Sequence, residues 1–363
     1  MLRIDEIYNN TFWPWLQKNF PGVRMFMCNP FGRSDADSVI NFGSETIKEH
    51  NYIFFFDQEP IHLNIHDATF DQVIVKNYDL RKAKGAICTS ERDSDTVEKV
   101  VTKYGWSSHY YFFHGWAALD WYRGYDKTFL ITPAVGRNPT KTFLAPNRII
   151  AGARQHRLEM LYHIFKQNML NNYVSCPQIC PAENITINKA AEPLLELYPD
   201  IQQVFANQPL PLNFAGETDH PMHSCWLSLF DQAADSLLYL VTETVASGRR
   251  HHLTEKTFKP IALGMPFVLV ATQGSLAYLR SYGFKTFDHV WDESYDQISD
   301  DHQRIQAIAD LLGKLNTMTV SQRQAVYQAC LDTVEHNWNH FYHGGFETVL
   351  WSELQAMLNG IAF

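Results

Sequence analysis

The chain of 363 residues is 45% hydrophobic and 19% charged, which excludes a disordered or fibrous protein and leaves room for two domains with separate cores. Its formal net charge of -9 excludes the overall basic footprint of a nonspecific nucleic-acid binder, although a local basic patch stays open. No apolar run approaches the roughly 18 residues of a membrane span, and the opening MLRIDEIYNNTFWPWL lacks the basic flank and apolar core of a secretory signal, so a soluble cytoplasmic protein is expected.

Residues 1–135 read as one α/β domain. Short apolar runs at Val23–Met27, Tyr52–Phe56, Gln72–Val75, Ala86–Cys88 and His109–Phe113 have the length of buried strands. Between them, Asp93–Tyr104 carries Val97, Val100 and Val101 on one helical face, and such alternation favours a mostly parallel sheet. Working residues in these sheets stand just past the carboxyl ends of strands. Here Tyr52–Phe56 runs into Asp57-Gln58-Glu59-Pro60, placing two carboxylates beside an apolar strand. Either Asp57 or Glu59 suits a general base whose pKa is raised by partial burial; equally, Asp57 caps a turn and Glu59 is solvated. The aromatic segment Phe112–Tyr125, with His114, Asp120 and Arg123, reads as a sugar or base subsite, or as core with a satisfied structural histidine.

Residues Thr132–Thr142, rich in Gly, Pro and polar side chains, are the best linker, and a second domain over 141–335 follows. Thr142–Ala145 resembles a strand. Arg154–Lys166 is a helical pattern with Leu158, Leu161, Tyr162 and Phe165 on one face. Arg154, His156 and Arg157 at its beginning oppose the helix dipole unless an anion compensates them. Residues 171–234 read as loop-rich. The stretch Ser236–Gly274 is strand, loop, helix and strand: Leu237–Val241, a loop with Gly248, Arg249, Arg250, His251 and His252, a helix opened by Thr254-Glu255-Lys256, and Phe267–Ala271. Free N–H groups at that helix start, with Lys256 and the mobile cationic loop, make a seat for a di- or triphosphate, or simply an ordinary capped helix. A helix is expected at Ser275–Tyr282, and two more over 300–315 and 320–359, residues 336–363 being able to pack back on the first domain.

Six cysteines, at 28, 88, 176, 180, 225 and 330, are scattered as free thiols are. Cys176 and Cys180 with His220 and His223 are a weak zinc pattern, set against loop cysteines of no special role.

Thr242-Glu243-Thr244 followed by Thr254-Glu255-Lys256 resembles the donor-site motif of the α1,3-fucosyltransferases, in which a strand ends in Phe-Glu-Asn and a glycine-containing loop leads to Thr-Glu-Lys and a helix. The Phe and Asn are replaced here by Thr242 and Thr244. Asn147-Arg148 and Arg154–Leu158 look like the arginine-bearing helix start of the same domain, so the resemblance spans residues 141–295. It implies a GT-B fold, two facing Rossmann-like domains with a cleft between them, and an inverting glycosyltransferase that needs no catalytic metal or other cofactor. The donor is a nucleoside diphosphate sugar, and the hydroxyl acceptor is a glycan ahead of a modified base in DNA. A noncatalytic nucleotide-sugar binder is a further alternative. By the same resemblance Glu255 binds the ribose hydroxyls, Lys256 and Arg157 the diphosphate, Glu243 lies near the sugar, and Glu59 stands where the family has its general base.

Overall fold

The computed structural model describes residues 4–27, 51–61, 84–123, 137–214, 217 and 226–363. It is a mixed α/β structure whose two principal sheets are parallel. Among the described residues no helix is long and apolar enough to cross a membrane. The chain separates into two compact units: residues 1–120 with 249–252 and 347–363, and residues 121–248 with 253–346. The first part of the expected linker, 132–136, like the run at 72–75, lies outside the described residues, and its end enters the strand at Lys141–Ala145.

In the first unit the chain opens with α1 (Ile4–Ile7), a π-helical turn over Tyr8–Phe12 and α2 (Trp13–Asn19). A four-stranded sheet follows in the order β1 (Arg24–Met27), β2 (Tyr52–Phe56), β3 (Gly85–Thr89) and β4 (Ser107–Tyr110). β2 and β3 are buried at every position, as strands covered on both faces must be. Between β3 and β4, α3 (Asp95–Tyr104) is capped by Ser94, which accepts from the Val97 N–H, and ends on left-handed Gly105. The strand expected at His109–Phe113 lies slightly earlier, because Phe113 already opens α4 (Phe113–Arg123). Trp116, Leu119 and Tyr122 of that helix are buried, so the aromatic segment is largely core.

The second unit holds β5 (Lys141–Ala145), α5 (Gln155–Lys166), β6 (Tyr173–Val174), a small hairpin of β7 (Ile179–Cys180) and β8 (Ile185–Thr186), α6 (Ile187–Ala190), α7 (Ile201–Ala206) and α8 (Phe230–Asp235). Then come β9 (Ser236–Thr242), α9 (Glu255–Ala262), β10 (Phe267–Val270), α10 (Ser275–Ser281), α11 (Asp301–Asn316) and α12 (Val320–Tyr342). Its sheet runs β10-β9-β5-β6, all parallel. β5, first in sequence, is central; the chain moves to one side for β6 and to the other for β9. The order therefore reverses between β5 and β9, and their carboxyl ends flank the position where open α/β sheets take ligands.

The expected helix over 320–359 is two helices. Gly344, at φ +89°, interrupts it, and α13 (Gly345–Asn359) begins anew. From Glu347 onward the chain belongs to the first unit: Trp351 packs edge-on against Trp116 at 4.6 Å, and Phe363 against Phe20 at 5.0 Å.

Candidate functional site

At the reversal point, the end of β9 and the start of α9 are joined through one buried carboxylate. Glu243 Oε1 accepts from the Thr254 N–H at 3.0 Å and the Thr257 hydroxyl at 2.6 Å. Its Oε2 accepts from the Thr254 hydroxyl at 2.6 Å and the Thr244 N–H at 3.2 Å. A carboxylate has about four lone-pair positions, and all four are engaged. Glu243, expected beside a sugar, instead anchors the helix start, where a negative charge also meets the positive end of the dipole.

Arg157 is placed differently from expectation as well. Its guanidinium donates to the carbonyls of Ile149 at 3.0 Å, Thr242 at 3.2 Å and Glu243 at 3.1 Å, and the residue is only 5% exposed. It ties the loop after β5 to the end of β9. His156 places Nε2 2.8 Å from the Glu243 carbonyl, so that nitrogen carries the proton. Burial, with Arg157 beside it, pushes the imidazole pKa down to about 3, and the ring is neutral at physiological pH. Arg304 performs the same service from α11, donating to the carbonyls of Ala271, Ile298 and Ala246 at 2.7–2.9 Å.

The other four expected donor residues stand at or just before the starts of α9 and α5. Thr254 caps α9, Glu255 opens it, and Arg154 is half-buried at the turn before α5. Lys256 remains 29% exposed, with Nζ 3.2 Å from the Thr244 hydroxyl, 3.3 Å from the Thr254 hydroxyl and 2.9 Å from the Glu255 carboxylate. The Glu255 carbonyl accepts from the Tyr122 hydroxyl at 3.3 Å. Across the reversal point, Asn147 Oδ1 accepts from the Thr242 hydroxyl at 2.9 Å, so the loop carrying Arg148 is held to the end of β9.

The loop of Arg249–His252, expected as mobile positive charge at the α9 start, belongs to the first unit. His251 and Arg92 exchange backbone hydrogen bonds of 2.8 and 2.9 Å, and the Arg249 carbonyl accepts the Asp95 N–H at 3.1 Å. Arg249 pairs with Glu98 at the surface, and Arg250 with buried Glu91 at 3.3 Å. His252 Nδ1 lies 3.3 Å from the Ser90 hydroxyl, and its ring meets that of His114 edge-on at 5.1 Å.

The carboxylates expected as bases are also in this unit. Strand register pairs Phe56 with Thr89 and Thr89 with Tyr110, so the next row is Asp57, Ser90 and Tyr111. Asp57 shares the Phe55 face and lies beneath the N-terminal helix, where the Tyr8 hydroxyl donates to it at 2.6 Å. It is 1% exposed, and burial pushes its pKa up to about 6 against the lowering effects of the Tyr8 bond and nearby His114. Glu59 is half-buried in the turn after β2. Tyr8 and Arg304 had no local signal in the sequence, since Tyr8 acts on Asp57, 49 positions away, and Arg304 reaches Ala271 and Ala246, 33 and 58 positions away.

Cys88, Cys176, Cys180 and Cys330 are buried free thiols, and among the described residues no group of three His, Cys, Asp or Glu is arranged to hold a metal. His220, His223, Cys28 and Cys225 lie outside the described residues. Comparison with protein-family models, curated proteins and solved structures finds no match to the chain.

Proposed function

We propose that the protein is a glycosyltransferase of GT-B type, transferring a sugar from a nucleoside diphosphate sugar to a hydroxyl acceptor with inversion. The observation that carries this reading is the reversal point of the second sheet, where Lys256 meets two threonine hydroxyls at a capped helix start. Lys256 and the α9 N–H groups receive the diphosphate, and Glu255 the ribose hydroxyls. The acceptor oxygen gives its proton to Glu59 or Asp57 as it bonds to the anomeric carbon. The bond from that carbon to the phosphate oxygen breaks, and its electron pair leaves with the diphosphate. No metal or other cofactor enters the proposed step.

Arg249 and Arg250 already face Glu98 and Glu91, which ranks a glycan acceptor ahead of a DNA base. One observation favours a noncatalytic donor-binding protein as the second reading: Asp57 is covered by Tyr8. Thermal shift against a panel of UDP- and GDP-sugars separates the outcomes. A donor at a hundredfold its dissociation constant adds about 2.7 kcal/mol, and Lys256→Ala should remove most of the shift. Binding without any release of nucleoside diphosphate selects the second reading. The absence of binding across the panel rejects both.

A further inference from the structure

We infer that Glu243 is a positioning residue, holding the Lys256 ammonium in place through the hydroxyl of Thr254. That this ammonium then meets a diphosphate rests on the donor-site reading above, whereas its positioning follows from hydrogen bonds inside the second unit. Glu243 is a rigid base for the task. Its N–H donates to the Val270 carbonyl at 3.0 Å, its own carbonyl accepts from His156 and Arg157, and the residue is fully buried.

Bond direction fixes which oxygens face the ammonium. A threonine hydroxyl has one proton and two lone pairs. The Thr254 proton goes to Glu243 Oε2 at 2.6 Å, so the lone pairs are left for Lys256, whose N–H lies at 3.4 Å and Nζ at 3.3 Å. Glu243 thereby makes this oxygen an acceptor on the Lys256 side. Thr244 is set by the same carboxylate through its N–H at 3.2 Å, and its hydroxyl accepts from Lys256 Nζ at 3.2 Å. Two of the three ammonium protons therefore meet neutral oxygens, which orient Lys256 without cancelling its charge. The third faces Glu255 at 2.9 Å, the contact that a phosphate oxygen would replace. A lysine held in advance in this way loses less side-chain freedom on meeting an anion.

The test is the rate at which acetic anhydride acetylates Lys256 in the full chain, read by peptide mass spectrometry, with Lys259 of the same helix as internal reference. Thr254→Val removes the intermediary hydroxyl and should raise the Lys256 rate by about tenfold or more relative to Lys259, the scale of a lost hydrogen bond to a charged group. Thr254→Ser keeps the hydroxyl and should restore the wild-type rate. Glu243→Gln sets an amide N–H against the backbone N–H of Thr244 or of Thr254 in either orientation, and should raise the Lys256 rate as well. Thr257→Val separates positioning from mere stability: it takes a donor from the same carboxylate without a bond to Lys256, so the urea midpoint should fall while the Lys256 rate stays. An unchanged Lys256 rate in folded Thr254→Val, or an equal rise in Thr257→Val or at Lys259, overturns the inference. Calorimetric titration with inorganic pyrophosphate, UDP and GDP reads the donor side, where Thr254→Val should weaken binding by about tenfold. Wild-type protein that binds none of the three rejects the donor reading and leaves the acetylation result, which needs no ligand, to decide the positioning.

Discussion

Asp57 shows how one residue's surroundings set its chemistry. Its pKa of about 6 stands above the usual 3.8 because burial disfavours the carboxylate more than Tyr8 favours it. Between these two values the folded protein holds a proton that the unfolded chain has released, so stability falls as pH rises from about 4 to 6 and levels off above. The loss is roughly 3 kcal/mol at about 1.36 kcal/mol per unit. Asp57→Asn should therefore flatten that part of the curve relative to wild type, as measured by urea unfolding at several pH values. An unchanged pH dependence would show that Asp57 is solvated. Glu243 and Arg157 make the complementary point: both residue types were legible as ligand-binding groups, yet the buried strand ends consume their hydrogen bonds.

At the scale of elements, β3 depends on having no side chain at its first position. A Cβ on Gly85 would collide with the rings of Tyr52 and Trp106, which themselves share a 3.1 Å hydrogen bond from the indole to the phenol. Gly85→Ala should cost about 1–3 kcal/mol through overpacking, read as a lowered urea midpoint with unchanged slope. A neutral result would mean that the two rings can part. α5 and α11 are likewise tied to the sheet by buried side chains, since Arg157 and Arg304 reach the carbonyls of the loops at its carboxyl edge. A further polar cluster links these helices: Glu159 of α5 meets Nδ1 of His302 on α11 at 2.9 Å and the Tyr198 hydroxyl at 2.6 Å. Burial raises the Glu159 pKa.

For the whole molecule, neither unit is one continuous stretch of chain. Residues 249–252 and 347–363 return to the first unit, where Glu91 receives Arg250, the Ser107 hydroxyl donates to the Ala362 carbonyl at 3.0 Å, and Leu350, Leu354 and Leu358 are buried. A chain ending at Phe346 should therefore lose the fold of the first unit, with exposed Trp116 and raised dye binding as the readouts. Intact tryptophan burial and cooperative unfolding in that truncation would contradict it. The alternation of short apolar runs with amphipathic helices was enough to identify the parallel α/β class, because local periodicity reports burial. Tyr52–Phe56 is a strand as read, and Thr254 is the cap as read. The helix start with Lys256 was legible for the same reason: its capping and its charge both reside in adjacent residues. What only tertiary structure decided was the partner of each polar group. Glu243 turned to the α9 start, Arg157 to carbonyls, the cationic loop to Glu91 and Glu98, and Asp57 to Tyr8. Those partners lie 8 to 159 positions away in sequence, most of them dozens of positions, and no local pattern encodes a hydrogen bond made across such a distance.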